Sequence, residues 1–460
     1  MAAGVFAPGH LGELTRVVPF EMVDEVLAEA GAVQSRVRLL PARVVVYLLL
    51  AGALFTGVGY QRVWDKLVAG LGGLGLARPS GAALWQARAR LGVAPLRGLF
   101  DLLRGPVTAV RANVVRWRGL LVTAIDGTQL SVPDTPINRA RLGKHRGTTG
   151  ADERERWAGY PSIRLLALVA CGPRTILDAV FGPASGPGTG ETSYAAGLLR
   201  SLKRGMVLLA DRRFDTGALL KAFHATGAQF VVRLCAHRKP PILDRYRDGS
   251  YLSIIGGVQV RIIEATITVS TPRGTRTGTY RLATTLTDHR TYPAREIITL
   301  YHQRWEIETL YLELKSTMLG GAVLRSEHPA AIDQEIYALL TTYQILRIAI
   351  TDATDSVTGT DPDRASFTIA LETARDLITQ AANIIAGTTI DLVGTIGRRV
   401  LDQLLPPRRP HFSPRIVKRP LSTYTHTAKK PSITASTYHH TLDITIHTKP
   451  LTTTPQPQTS

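Results

Sequence analysis

GLLVTAID, Gly119–Asp126, is an unbroken apolar run that stops on a carboxylate. Before it, from about residue 10 to 115, apolar positions recur at helical spacing; after it, short runs divided by turns predict strands. SIRLLALVACG (Ser162–Gly172) and TILDAVFG (Thr175–Gly182) read as neighbouring strands joined by a short turn at Gly172–Arg174. A helix over 191–203 then precedes GMVLLAD (Gly205–Asp211), a second apolar strand ending on an aspartate. TGALLKAFHATG (Thr216–Gly227) predicts a helix and AQFVVRLC (Ala228–Cys235) a fifth strand. Three strands followed by alternating helix and strand specify an α/β sheet with helices on its faces. Residues 239–290, rich in β-branched side chains and glycine turns, form a β-rich insertion, and helices return at Pro293 and near 329–348.

The upstream part is all-helical. PFEMVDEVLAEAG ends at Gly31, and SGAALWQARARLG opens at a capping Ser80 and stops at Gly92. The latter carries Arg88 and Arg90, and with the following APLRGLFDLLRG it is a candidate helix-turn-helix. VVVYLLLAGALFTGVGY, Val44–Tyr60, is short for a membrane span of about 20 residues and reads as a buried helix opened by Pro41. The boundaries expected are therefore a helical domain over 10–115, an α/β domain over 116–350, a helical segment over 351–405 and a structureless basic Thr/Pro-rich tail over 406–460.

Charge narrows the partner. The 460 residues hold 55 Lys+Arg against 36 Asp+Glu, a net +19. Residues 401–460 hold 8 Lys/Arg and 2 Asp/Glu, a contribution of +6, so 1–400 still carry +13. Such basicity favours nucleic acid over a membrane surface. Two cysteines, Cys171 and Cys235, offer neither a disulfide framework nor a zinc cluster, which suits a reducing cytoplasm. SGPGTGET, Ser185–Thr192, fails as a phosphate-binding loop: Ser185 replaces its first glycine, and Glu191 stands where the lysine belongs. It is a glycine-rich turn into a helix whose N-terminus suits Glu191.

What remains is a set of carboxylates. Asp126 and Asp211 each close an apolar strand, and strand ends are where sites form in open α/β sheets. Two aspartates on adjacent strands repel each other unless a cation lies between them, and oxygen ligands favour Mg²⁺. A third acid from a helix would complete a two-metal site. YHQRWEIETLYLELK, Tyr301–Lys315, offers Glu306, Glu308 and Glu313. At about 100° per residue, with Tyr301 at zero, Arg304 falls at about −60°, Glu308 at about −20° and Lys315 at about −40°. Glu306 and Glu313 lie at roughly 120–140°, on a side expected to be solvated. An exposed ion-paired face would account for an Arg304–Glu308 pair; a functional stripe would use Glu308 as ligand and its basic and aromatic neighbours on phosphate.

The spacing Y-x2-R-x3-E-x6-K from Tyr301 to Lys315, with AIDGT at Asp126, LADRRF at Asp211 and LRSEHPAAIDQEIYALLTTYQILR after them, resembles the DDE transposases of the insertion-sequence-4 type. The resemblance is firm over about 117–348 and weaker over 10–100. It implies a ribonuclease-H-like fold, with the β-rich insertion ahead of the glutamate helix. It implies Asp126, Asp211 and Glu308 as catalytic metal ligands for two Mg²⁺ ions, with Mn²⁺ as a substitute. Tyr301, Arg304 and Lys315 become DNA-phosphate contacts. The implied activity is cut-and-paste DNA transposition on double-stranded element ends and target DNA, by a homodimer on the bacterial nucleoid. Some relatives stack an insertion tryptophan on a flipped base; 239–290 has no Trp, and Tyr246, Tyr251 and Tyr280 are its candidates instead. A structure-specific nuclease on the same fold, or a non-catalytic DNA-binding derivative, are the rival readings.

Overall fold

In the computed structural model the chain is described at residues 9–34, 36, 38–71, 76–105, 116–144, 159–271, 274–381, 393–406 and 441–448. It divides into two compact units, Met1–Met206 with Glu306–Arg408, and Val207–Trp305 with Arg409–Ser460.

In the first unit Ala42–Leu54 is a helix buried at every position except Arg43. Pro41 precedes it in extended backbone, where a missing N–H costs nothing. A helix apolar all round needs cover on all sides. Part of that cover is the Pro329–Asp355 helix, whose Thr342 donates to the Leu50 carbonyl at 3.2 Å. Just ahead of that helix, Arg325 donates to the carbonyls of Gly52, Phe55 and Val58. At 13 residues Ala42–Leu54 spans about 20 Å; among the described residues no helix is long and apolar enough to cross a membrane. Because these two helices cover each other, segments from both ends of the sequence join one unit.

Gly81–Leu91 starts as expected, with the Ser80 hydroxyl accepting from the Ala83 N–H at 3.1 Å, and ends on Gly92 at φ +69°. Its Arg88, however, is turned into the protein. Leu84, Ala87, Arg88 and Leu91 form the inward stripe of this helix. The Arg88 guanidinium lies 4.1 Å from the Tyr60 ring centroid and donates to Ser326 Oγ at 2.9 Å. Arg90 remains exposed.

Three antiparallel strands follow in the same unit: Leu120–Ser131, Ser162–Ala170 and Ile176–Pro183, with Asp126 opposite Ala167 and Leu165 opposite Phe181. The expected turn joins the last two, with Gly172 at φ +94° and Arg174 at φ +56°. The Arg174 N–H closes it on the Ala170 carbonyl at 3.1 Å. A left-handed conformation costs a side-chain-bearing residue about 1–3 kcal/mol and persists only where its surroundings over-determine it.

The second unit pairs Val207–Ala210 in parallel with Gln229–Arg233, across the Gly217–Ala225 helix. Gln229–Arg233 pairs antiparallel with Gly274–Thr284, and that strand with Val258–Thr271. The last is 14 residues long and takes two further partners, Tyr251–Ile255 along its first part and Thr441–Ile446 along its second. Three antiparallel strands and then strand–helix–strand is the order of a ribonuclease-H-like fold, and the β-rich insertion occupies its expected place. Most of the tail, 407–440 and 449–460, lies outside the described residues; Thr441–Ile446 within it is a strand.

Candidate active site

Asp126 is not at a strand end. Pairing continues to Ser131, and what changes is burial: Leu121–Ile125 are buried, while Asp126–Thr128 are half-buried. The apolar run stops because burial lapses there, while the ladder continues. Asp126 Oδ1 accepts from the Gly127 N–H at 2.8 Å.

Glu308 stands half-buried on the Trp305–Leu312 helix. One turn later Tyr311 ties this helix to the strand. Its hydroxyl donates to the Asp126 carbonyl at 2.6 Å and accepts from the Ala167 N–H at 3.1 Å, bridging two residues that face each other across the ladder. Burial first, and the Asp126 charge second, push the Tyr311 hydroxyl pKa far up, so it stays a donor. Lys315 Nζ reaches 3.4 Å from Thr128 Oγ1. Thr128 is two residues from Asp126 and therefore on the same face of the strand. Asp126, the Glu308 helix and Lys315 thus converge within the first unit. Tyr311 carried no separate signal in the sequence beyond lying three residues after Glu308.

The solvated side expected for Glu306 and Glu313 is instead a buried ion network. Arg174 pairs with Glu306, with Glu313 at 3.0 Å and with Asp363 at 2.6 Å. Glu313 also pairs with Arg347 and accepts from the Tyr343 hydroxyl at 2.8 Å. Burial is the largest influence on the Arg174 pKa and lowers it; Glu313, Glu306 and Asp363 outweigh it, and the guanidinium stays charged. A helix carrying many charges need not be a surface helix, and the second face of this one packs on the Gly172–Arg174 turn and the Pro329–Asp355 helix. Nor is the helix regular: His302–Arg304 is a 3₁₀ turn and Glu313–Met318 a π turn. A phase of about 100° per residue therefore does not run unbroken from Tyr301 to Lys315.

In the second unit Asp211 directly follows its strand, as expected, and caps the turn after it by accepting from the Arg213 N–H at 2.7 Å. Tyr301 is buried, and its hydroxyl donates to the Ala210 carbonyl at 3.1 Å, so it holds the backbone next to Asp211. Burial drives its pKa up. The Arg304 guanidinium is half-buried, 5.6 Å from the Trp305 ring centroid. Of the insertion tyrosines, Tyr251 and Tyr280 are buried, while Tyr246 is half-buried and stacked on His289 at 4.8 Å.

Among the described residues no group of three or more His, Cys, Asp or Glu side chains is gathered for an ion. The donor chemistry nonetheless suits one: of the three glutamates on the helix, Glu306 and Glu313 are committed to arginines, and Glu308 is the half-open one. Carboxylate oxygens are the ligands hard divalent cations take.

Residues 8–101 match the family described as "Insertion element 4 transposase N-terminal", and residues 117–345 match "Transposase DDE domain". Over 434 residues the chain is 26% identical to the transposase InsG for insertion sequence element IS4 of Escherichia coli K12, covering 90% of this chain and 93% of that protein. It is 30% identical over 210 residues to the putative transposase InsZ of the same organism, covering 46% and 66%. Among solved structures, a piggyBac transposase synaptic complex with hairpin DNA aligns over 87% of this chain and 86% of that one, with 12% identity and a TM-score of 0.41.

Proposed function

Because the chain belongs to the DDE transposases of the insertion-element-4 family, we propose that Asp126, Asp211 and Glu308 are its catalytic acids and hold Mg²⁺, with Mn²⁺ able to replace it. The protein is a DNA transposase, an enzyme that breaks and rejoins phosphodiesters, and its DDE domain works with divalent metal. The observation that carries the pairing of Asp126 with Glu308 is the Tyr311 bridge: it seats the Glu308 helix against the backbone of Asp126 itself. Asp211 rests on the match to the DDE domain. Bound divalent ions supply activation of a nucleophile and neutralisation of charge on the leaving oxygen.

The remaining steps belong to the chain's own groups. Lys315, steadied near Thr128, and Arg304 bind backbone phosphates of the element end; Tyr301 contributes by holding the strand end that carries Asp211. Water adds to phosphorus at the element end, and the 3′ oxygen leaves and gains a proton. The freed 3′-OH then attacks a target phosphodiester and displaces the target's own 3′ oxygen. Two ends must be joined, so the working species is a homodimer on double-stranded DNA, acting in the cytoplasm at the nucleoid.

Single-turnover nicking of an end-containing duplex, with gel-shift binding measured alongside, tests this. Glu308→Gln is expected to abolish cleavage while end binding in metal-free buffer persists. Lys315→Ala is expected to weaken the grip on the cleaved end and slow cleavage roughly 10- to 100-fold through misplacement, with the metal ligands intact. A Glu308→Gln chain that cuts at the normal rate overturns the assignment. Retained nicking without joining of a 3′-OH end to a second duplex would favour a nuclease.

A further inference from the structure

The geometry points to Arg174 as a positioning residue for the transposition chemistry: from the Gly172–Arg174 turn it grips the far side of the helix that bears Glu308 and so sets that carboxylate against Asp126. This role rests on the assignment of Asp126 and Glu308 above.

Four observations carry it. Arg174 contacts the helix at Glu306 and Glu313, which are i and i+7 on one face and bracket Glu308 in sequence. Its planar fork reaches three carboxylates in three directions, the third being Asp363 at 2.6 Å; a lysine ammonium carries the charge but not the fork. The turn it belongs to is the end of the strand that pairs with Asp126, since Ala170 lies opposite Thr123 and Ala167 opposite Asp126. On the other face of the helix Tyr311 is fixed to that same Asp126–Ala167 pair. Two anchors on opposite faces, both referred to one strand pair, define both the distance and the roll of the helix. Releasing Arg174 loosens the helix at Glu306, the end nearer Glu308, and lets Glu308 turn while Tyr311 and, at Glu313, Arg347 and Tyr343 still hold the helix nearby. The positive φ of Arg174 fits this reading, because the side chain's ties supply what keeps the backbone there.

The role predicts a specific defect. Arg174→Lys should leave end-DNA affinity within about twofold of the unmodified chain and lower the cleavage rate roughly 10- to 100-fold, the loss expected for misplacement on the order of 1 Å. It should also raise the Mn²⁺ concentration needed for half-maximal cleavage and shrink the rise in melting temperature that Mn²⁺ gives the DNA-free protein. High Mn²⁺ should recover part of the rate in Arg174→Lys and none in Glu308→Gln. Arg325→Lys is the control: Arg325 is a well-ligated arginine of the same unit that grips Ala42–Leu54 and the loop after it. Assays run at equal margins below each melting temperature separate misplacement from lost stability. A metal requirement unchanged in Arg174→Lys, or a loss no larger than that of Arg325→Lys, overturns the role. If Arg174→Lys fails to fold, Asp363→Asn releases one arm from the network's more open side. It should shift the metal requirement in the same direction, and an unchanged requirement there also overturns the role. A cutting Glu308→Gln overturns the site itself, and this is distinct from the result in which Glu308→Gln is dead and Arg174→Lys cuts with normal metal demand.

Discussion

An ideal β-carbon on Gly127 would stand 2.8 Å from Cγ of Glu191 and 2.9 Å from its Cδ and Oε1. Glu191 cannot step aside cheaply, because Arg164 holds it at 3.1 Å and is itself fixed by the carbonyls of Thr189 and Ala184. Glycine is therefore required next to Asp126 for close approach. Gly127→Ala should destabilise the chain by about 1–3 kcal/mol, the usual cost of overpacking, read as a shift in urea midpoint at constant slope. It should also slow cleavage, because the residue that must move is the one after the proposed ligand. Glu191→Ala in the same chain should restore most of the space and part of the midpoint; no restoration would show that the strain lies elsewhere. Half of this arrangement was legible in the sequence. The glycine-rich turn and the acid at a helix N-terminus were readable locally, and Gly190 does cap the Glu191–Ala195 helix. That Glu191 is buried against Gly127, on a strand far earlier in the chain, left no local trace.

Helices show where reading by period succeeds and where it stops. The buried Ala42–Leu54 helix, the Ser80 cap and the Gly92 stop were legible because each depends on neighbours in sequence. Tyr301–Lys315 was legible in its residue types and spacing but not in its shape. A 3₁₀ turn and a π turn interrupt it, and its second face meets arginines from the Gly172–Arg174 turn and the Pro329–Asp355 helix. Periodicity reports which residues share a side, not which side meets protein. Glu306 and Glu313 look solvated by period for that reason, and Arg88 looks like a DNA reader for the same reason. The corrected expectation is severe. Glu313→Gln leaves Arg174 and Arg347 short of a charge they share in a buried setting, where breaking a pair costs about 3–5 kcal/mol. Thermal unfolding should show a loss of that size, against less than about 0.5 kcal/mol for an exposed helix substitution such as Gln86→Ala. Equal losses for the two would return Glu313 to the surface.

At the scale of the whole chain, basicity and architecture separate in the tail. Residues 407–440 carry 7 Lys/Arg and no Asp/Glu, whereas 441–460 carry Lys449 and Asp443 and are neutral overall. The strand lies in the neutral part. Thr441–Ile446 pairs with Ala265–Ser270 along the second stretch of the long insertion strand, Ile444 is buried, and the His447 N–H donates to the Glu264 carbonyl at 2.9 Å. Removing 441–460 would thus uncover one edge of that strand, and an uncovered edge invites pairing between chains. It should lower the melting temperature, speed amide exchange over Ala265–Ser270 and promote association, yet leave the salt dependence of DNA affinity unchanged, because the net charge stays the same. Removing 449–460 alone should leave melting and exchange as they are. Removing 407–460 should add a shallower salt dependence to the first set of effects, since each phosphate no longer neutralised reduces the slope by about 0.9. End preference should survive all three, because +13 of the charge and the helical N-terminal part remain on residues 1–400. If removing 441–460 flattens the salt dependence while melting stays fixed, the strand is a DNA contact rather than a cover for the insertion's edge.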